Sequence, residues 1–82
     1  MNVDELEVVV RRTLAEIAPD VDPAGVDASA DFHDELGLDS MDLLNLAIGL
    51  HEATGIDIPE VDAARIECIA DCVSYLHAHG AG

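Results

Sequence analysis

Apolar side chains recur at steps of three and four residues in three separate segments, and this pattern constrains the fold more than any other feature of the chain. Such spacing places them along one face of an α-helix. The segments run from about Val3 to Ala18, from Ser40 to Gly55, and from Ile66 onwards, with a short helical turn from about Glu60 to Arg65 before the last. Residues 1–82 are therefore predicted to form a single all-α domain. We expect a four-helix antiparallel bundle with three longer helices, one short third helix and a long first loop.

Charge and length narrow the functions open to this fold. The 82 residues include 18 acidic and only three basic residues, which gives a formal net charge of -15. Nucleic acid and anionic membrane surfaces would repel such a protein, whereas a basic patch on a protein partner would attract it. No signal peptide or membrane span is recognisable, and a chain of this length can bury one modest core but not surround a deep catalytic cleft. We therefore expect a monomeric cytoplasmic protein that is not an enzyme.

The start of the second helix combines a capping residue with an adjacent hydroxyl. Asp39 can accept hydrogen bonds from the free backbone N–H groups of the helix that follows. Ser40 lies in the first turn, where an attached phosphoester would face the positive end of the helix dipole. Gly37 permits a positive φ just before the helix. On its own, this pair of residues is typical of plain helix capping.

The residues around this junction resemble the acyl carrier protein family. The motif Gly-x-Asp-Ser-Met begins at Gly37, an acidic apolar helix follows, and the sequence Ile-Asp-Ile-Pro ends at Pro59. The similarity extends from Leu6 to Leu76. In that family the serine of the motif carries 4′-phosphopantetheine, so the resemblance implies that Ser40 is the attachment site. Asp39 and Gly37 are predicted to be the other cofactor-binding residues.

The resemblance also implies a function. The protein would hold acyl or related carboxylic intermediates as thioesters for fatty acid, polyketide or related lipid and secondary metabolite biosynthesis. A phosphopantetheinyl transferase would install the arm from coenzyme A, an acyl- or aminoacyl-activating ligase would load it, and synthase or transferase enzymes would use the cargo. The absence of a flanking linker favours a free-standing carrier. The alternatives are an aminoacyl or peptidyl carrier and an acidic interaction module without a prosthetic group.

The second helix carries two apolar stripes that one buried face cannot hold. The core-facing stripe consists of Leu43, Leu46, Ala47, Leu50 and Thr54. The other consists of Met41, Leu44 and Ile48, rotated by about 130°. Either the helix is covered on more than one side, or the second stripe is an exposed ridge for a partner. In the resembling family this helix is the main partner-recognition element, which favours the ridge.

The predicted partner-binding residues are Met41, Asp42, Leu44, Asn45, Ile48 and Glu52. Asn45, His51 and Ala53 stand where fatty-acid carriers of the family usually have glutamates, so we expect docking to depend more on apolar contact. Family members can also enclose the cargo between the second and third helices. Carried over by position, that acyl pocket would be lined by Leu50, Ile58, Ala63 and Ile66, although each would serve equally well as a core residue. Gly49 indicates close helix packing, because a glycine inside a helix otherwise costs about 1 kcal/mol relative to alanine.

The first loop contains the main alternative site. Asp20, Asp22 and Asp31 fall at spacings that partly match a calcium-binding EF-hand loop. Ala24 replaces the oxygen ligand at the fifth position, and Asp31 replaces the long bidentate glutamate. We therefore predict a solvated acidic loop and no defined metal site. Phe32 is expected to anchor this loop to the core, as the equivalent position does in the resembling family.

Other reactive side chains give weaker signals. Cys68 and Cys72 stand four residues apart in a helical pattern, where a disulfide would strain the helix, so both thiols are expected to be free. Cys72 falls on the apolar side, whereas Cys68 near the helix start is expected to have a lowered thiol pKa. The end of the last helix, from His77 to Gly80, is expected to fray and supplies no zinc-ligand spacing. Ser40 lacks the Gly-x-Ser-x-Gly elbow of hydrolases, so no catalytic residue is predicted.

Overall fold

The computed structural model describes residues 1–81 and confirms the predicted all-α bundle. Its four α-helices are α1 (Val3–Ile17), α2 (Ser40–Thr54), α3 (Glu60–Ala63) and α4 (Ile69–Leu76), and a wider π-type turn (His77–Ala81) follows α4. No β-strand occurs in residues 1–81. In that same range, no helix has both the length and the apolar character needed to cross a membrane.

The core lies between the apolar faces of the three longer helices. Each face follows from the three- and four-residue spacing of its large apolar side chains. The side chains with almost no exposed surface include Leu6, Val10 and Leu14 of α1, Leu46 and Leu50 of α2, and Ile69, Cys72 and Leu76 of α4. These helices therefore form one continuous core.

Arg11 holds the first part of the long α1–α2 loop against α1. Its Nη1 donates hydrogen bonds of 2.7 Å to Pro23 O and 2.6 Å to Val26 O. Its Nε lies 3.4 Å from a carboxylate oxygen of Glu7, one turn earlier in the helix. One of the three basic residues in the chain therefore serves to order this loop.

Phe32 anchors the second part of the same loop, as expected. Its side chain is completely buried in the core. Its backbone N–H donates to Glu67 O at 2.7 Å, and Ala70 N donates to Ala28 O at 2.9 Å. These two backbone bonds join the loop to the α3–α4 connection at Glu67 and to the first turn of α4 at Ala70. The loop is long, but it is packed and hydrogen-bonded.

The third and fourth helices are shorter than predicted. α3 ends at Ala63 instead of Arg65, and α4 begins at Ile69 instead of Ile66. Ile66 is buried as the periodicity required, but it lies in the connecting segment, because a turn can bury a side chain at the same spacing as a helix. Cys68 has an extended backbone and is the residue that precedes α4.

Gly49 marks a close approach between α1 and α2, as the sequence indicated. A Cβ atom built on Gly49 would lie 2.6 Å from Cγ2 of Thr13. Thr13 is 5% exposed, and its hydroxyl donates to Val9 O at 2.8 Å, which fixes the side chain. The neighbouring methyl group therefore has little freedom to move away.

Replacing Gly49 with alanine should destabilise the protein. Overpacking costs about 1–3 kcal/mol, and alanine recovers about 1 kcal/mol through its better helix propensity. The net cost is therefore about 0–2 kcal/mol. Because a 2.6 Å contact is severe, we expect the upper half of that range, a loss of about 1–2 kcal/mol in the free energy of unfolding measured by urea titration. Adding Thr13→Ser, which removes Cγ2 and keeps the hydroxyl, should restore stability. A Gly49→Ala variant as stable as the wild type would contradict this account of the packing.

Candidate functional site

A capping box fixes the first turn of α2. The Asp39 carboxylate accepts a hydrogen bond of 2.9 Å from Asp42 N, and Asp39 N donates one of 3.2 Å to an Asp42 carboxylate oxygen. The capping role of Asp39 was predicted from the sequence. The reciprocal role of Asp42 was missed, although an acid three residues after a capping acid is a recognisable signal.

The backbone conformation of the two residues before Asp39 is well defined. Gly37 adopts φ +69°, the positive value that its position predicted. Leu38 is buried, and its N–H donates to Phe32 O at 2.9 Å. The chain therefore leaves the core at Leu38 and enters α2 at Ser40.

Ser40 is exposed at the first position of α2. In the described part of the chain, no group forms a hydrogen bond to its hydroxyl. His33 and Ser40 border one surface cleft, but His33 Nδ1 lies 3.1 Å from Asp34 Oδ1, and His33 makes no hydrogen bond to Ser40 within residues 1–81. The nucleophile–base contact that a serine hydrolase requires is thus not formed there.

Two open clefts meet at Ser40. The first, of about 390 Å³, is bordered by acidic side chains of the first loop and of the α3–α4 connection, namely Asp31, Asp34, Asp39 and Glu67. The second, of about 230 Å³, lies between α2 and α3 and is mainly apolar; its lining includes Met41, Leu43, Leu44, Ala63 and Ala64. A flexible group attached to Ser40 can therefore extend along either cleft without displacing the core.

The two stripes of α2 face different surroundings. Of the core-facing stripe, Leu46, Ala47 and Leu50 are buried, and Leu43 and Thr54 are half-buried. The other stripe is exposed, with Met41 at 62%, Leu44 at 40% and Ile48 at 47%. We call these three residues the α2 ridge. No other described element covers it, so the alternative of a helix enclosed on several sides does not apply to residues 1–81.

The remaining predicted partner-binding residues surround the α2 ridge. Asn45 and Glu52 are exposed, whereas Asp42 is half-buried and takes part in the capping box. The ridge therefore has both polar and acidic neighbours.

The four predicted acyl-pocket residues line one small cavity. Leu50, Ile58, Ala63 and Ile66 share it with Leu43, Leu46, Ala47 and Cys72. Its volume is about 10 Å³, roughly enough for a single water molecule. The cavity is therefore almost closed in this conformation.

The two cysteines are free and poorly suited to nucleophilic chemistry. Burial raises the pKa of the Cys72 thiol, which lines the small cavity. Desolvation also raises the pKa of Cys68, and the charge of the nearby Asp71 carboxylate contributes to the same effect. The expected lowering of the Cys68 pKa was wrong, because this residue is partly buried and stands outside the helix next to an acid.

The acidic loop uses its carboxylates for its own backbone. Asp22 accepts from Ala24 N at 3.2 Å, and Asp31 accepts from His33 N at 2.9 Å and Asp34 N at 2.8 Å. Residues 1–81 contain no cluster of three or more histidine, cysteine or acidic side chains placed to hold a metal ion.

A helical bundle that exposes a serine at the capped start of its second helix has the arrangement expected of a phosphopantetheine-binding carrier. The family model described as "Phosphopantetheine attachment site" matches residues 8–76. An acyl carrier protein of Bdellovibrio bacteriovorus is 40% identical over 60 residues, which cover 73% of this chain and 77% of that protein. The chain belongs to the acyl carrier protein family, and its prosthetic group is covalently attached 4′-phosphopantetheine.

Proposed function

We propose that Ser40 carries the 4′-phosphopantetheine arm and that the protein holds acyl or related carboxylic intermediates for fatty acid, polyketide or related biosynthesis. The observation that carries this proposal is the exposed Ser40 hydroxyl, which has no hydrogen-bond partner in residues 1–81 and lies between two open clefts. When attached, the arm supplies a terminal thiol that holds the cargo as a thioester. The role of the protein is to present the arm to partner enzymes and to shield the attached cargo.

The first turn of α2 supplies the attachment geometry. The capping box keeps the helix start rigid, and backbone N–H groups at a helix start can face a phosphoester. Gly37 and Leu38 hold the preceding turn in place. A phosphopantetheinyl transferase therefore meets an accessible serine on a fixed backbone.

The α2 ridge is the proposed docking surface for the transferase, the activating ligase and the downstream synthase or transferase enzymes. Its apolar side chains are available for burial, and the net charge of -15 favours partners with a basic rim around an apolar patch. Asp42, Asn45 and Glu52 would then lie at the edge of the interface.

An acidic substitution on the α2 ridge should weaken docking without disturbing the fold. Ile48 is 47% exposed, so Ile48→Asp removes apolar contact while the core is unchanged. We expect the KM of a phosphopantetheinyl transferase for the variant to rise about tenfold, the effect of losing one important interface residue. Val8→Asp is the matched control, because Val8 of α1 is 54% exposed and lies on another helix. Equal effects of the two variants would show that the ridge has no special role.

The small cavity beneath α3 is the proposed place for the cargo chain. Its walls are apolar, and it adjoins the apolar cleft at Ser40 through the shared residues Leu43 and Ala63. Because its present volume is about 10 Å³, a cargo chain can enter only if α2 and α3 separate.

The function is tested by incubating the apo protein with a broad-specificity phosphopantetheinyl transferase and coenzyme A, followed by intact mass measurement. We expect the addition of one phosphopantetheinyl group. Loading of the product with fatty-acyl or amino-acid-specific ligases then identifies the class of cargo. A folded protein that accepts no phosphopantetheine would favour the interaction module instead.

A further inference from the structure

A single tyrosine joins α4 to α3. The Tyr75 hydroxyl donates a hydrogen bond of 2.8 Å to Asp62 Oδ2, and it lies 3.4 Å from Asp57 O in the segment before α3. Asp62 belongs to α3, and Tyr75 belongs to the last turn of α4. One side chain therefore connects α4 both to α3 and to the chain that leads into it.

The short helix α3 has few other contacts that hold it in place. It has four residues, none of them buried, and no side chain caps its N-terminus. Val61 at its centre is 67% exposed. A helix of one turn is not stable without tertiary contacts. The position of α3 therefore depends on the few side chains that attach it to the bundle.

The same helix forms one wall of the small apolar cavity. Ala63 of α3 and Ile58, just before it, face Leu50 of α2 across this space. Cys72, three residues before Tyr75 on α4, lines the cavity as well. A shift of α3 away from α2 would open the cavity and expose the Cys72 thiol, which is now fully buried.

We propose that Tyr75 is a positioning residue that latches α3 over this cavity, and that its hydroxyl must release Asp62 before the cavity can widen. The first part of this proposal, that Tyr75 keeps the cavity closed, depends only on contacts within the protein without its arm. Its consequence, that the latch controls the entry of cargo, rests on the function proposed above.

The turn that follows α4 holds the ring of Tyr75 in place. The rings of Tyr75 and His79 stack with centroids 4.0 Å apart and planes 14° from parallel. His79 Nδ1 also lies 2.8 Å from Tyr75 O. Residues 77–80 were expected to fray, but His79 in this segment packs on the residue that secures α3.

Cys72 provides a direct probe of the latch. In a Ser40→Ala and Cys68→Ser background, no arm can be attached at Ser40 and Cys72 is the only thiol. Burial raises the pKa of Cys72, so a neutral maleimide should react with it slowly while the cavity is closed. We expect Tyr75→Phe, which removes only the hydroxyl, to increase the labelling rate of Cys72 about tenfold. This factor corresponds to the net free energy of one hydrogen bond to a carboxylate.

Variants of the two aspartates separate the bond from general charge effects. Asp62→Ala should accelerate labelling as Tyr75→Phe does, whereas Asp62→Asn keeps an acceptor oxygen and should stay near the background rate. Asp57→Ala is the matched control, because it removes an acid from the same segment while the contact there uses the backbone carbonyl. It should have no effect.

The ionisation of Tyr75 gives an independent readout, since it is the only tyrosine in the chain. The hydrogen bond to Asp62 is the main cause that raises the pKa of Tyr75, with the charges of Asp62 and Asp57 in the same direction. The hydrogen bond from the neutral Tyr75 hydroxyl stabilises the folded protein fully below about pH 10, the pKa of an unperturbed tyrosine. This stabilisation is lost as the pH rises through the higher pKa that Tyr75 has in the folded protein. Phenolate absorbance should therefore titrate at lower pH in Asp62→Ala than in the background protein.

Hydrogen exchange distinguishes local opening from general destabilisation. In Tyr75→Phe we expect faster exchange at the amides of Ala63 and Ala64, which are bonded to Pro59 O and Glu60 O. The amides of Val10 and Leu14 in α1 should be unchanged. Unchanged Cys72 labelling in Tyr75→Phe, or equal acceleration of the α1 amides, would overturn the latch. Because every measurement uses the arm-free protein, failure of phosphopantetheine loading would leave this result intact.

Discussion

Ser40→Ala should abolish phosphopantetheinylation completely while the fold remains intact. The acceptor of the arm must be a hydroxyl that a second protein can reach, and Ser40 is exposed and its hydroxyl makes no hydrogen bond within the described residues. Alanine at the first helical position removes no core contact, so the free energy of unfolding should change by less than about 0.5 kcal/mol. Intact mass after incubation with transferase and coenzyme A is the measurement.

The chain offers a matched control for this experiment. Ser74 is also exposed and helical, but it lies on α4 away from the capped start of α2. Ser74→Ala should accept one phosphopantetheinyl group at the wild-type rate. If Ser40→Ala still gained a phosphopantetheinyl group, the attachment site would have to be one of the other two serines, Ser29 or Ser74. That result would refute the proposed site. Urea titration of both variants verifies that each remains folded.

Phe32→Ala should cause the largest loss of stability among single core substitutions. Removing a fully buried phenylalanine costs about 3–5 kcal/mol through lost burial and the remaining cavity. A small domain has only about 5–15 kcal/mol of total stability, so the variant should be close to unfolding. The midpoint of urea denaturation should fall sharply, and the accessible signal is far-ultraviolet circular dichroism.

Two further variants test whether the loss at Phe32 reflects packing of the first loop. Phe32→Leu keeps most of the apolar volume and should lose much less stability than Phe32→Ala. Val61→Ala removes apolar atoms from a side chain that is 67% exposed, so it should change stability very little. A loss below about 1 kcal/mol in Phe32→Ala would show that the loop does not depend on this side chain.

The sequence specified the fold most successfully where local rules and burial agree. Asp39 caps α2, Gly55 closes it with φ +75°, and Gly49 lies at a close helix contact. The same reasoning placed the start of α4 at Ile66, because burial periodicity does not distinguish a helix from a turn that buries a residue at the same spacing. The backbone of Cys68 is extended, and α4 begins only after it.

Parts of the site could not be read from the sequence, because they depend on contacts between distant segments. The pairing of Tyr75 with Asp62 has no local signature, since the residues belong to different helices whose relative position is set by the core. The hydrogen bonds from Arg11 to the first loop also have no sequence signature, because their acceptors are backbone carbonyls, which every residue provides. The sequence allowed the α2 ridge to be either exposed or covered by another helix. The choice between these alternatives depends on how the other helices pack around α2.

The two backbone bonds that join the first loop to the α3–α4 connection and to α4 have a consequence for the order of events during synthesis. Ala28 and Phe32 are synthesised before α2, whereas their hydrogen-bond partners, Ala70 and Glu67, are synthesised after it. The segment that leads into Ser40 is therefore completed only when α4 has joined the bundle. A nascent chain that lacks α4 would offer the transferase a loosely ordered serine, so attachment of the arm should follow the synthesis of α4.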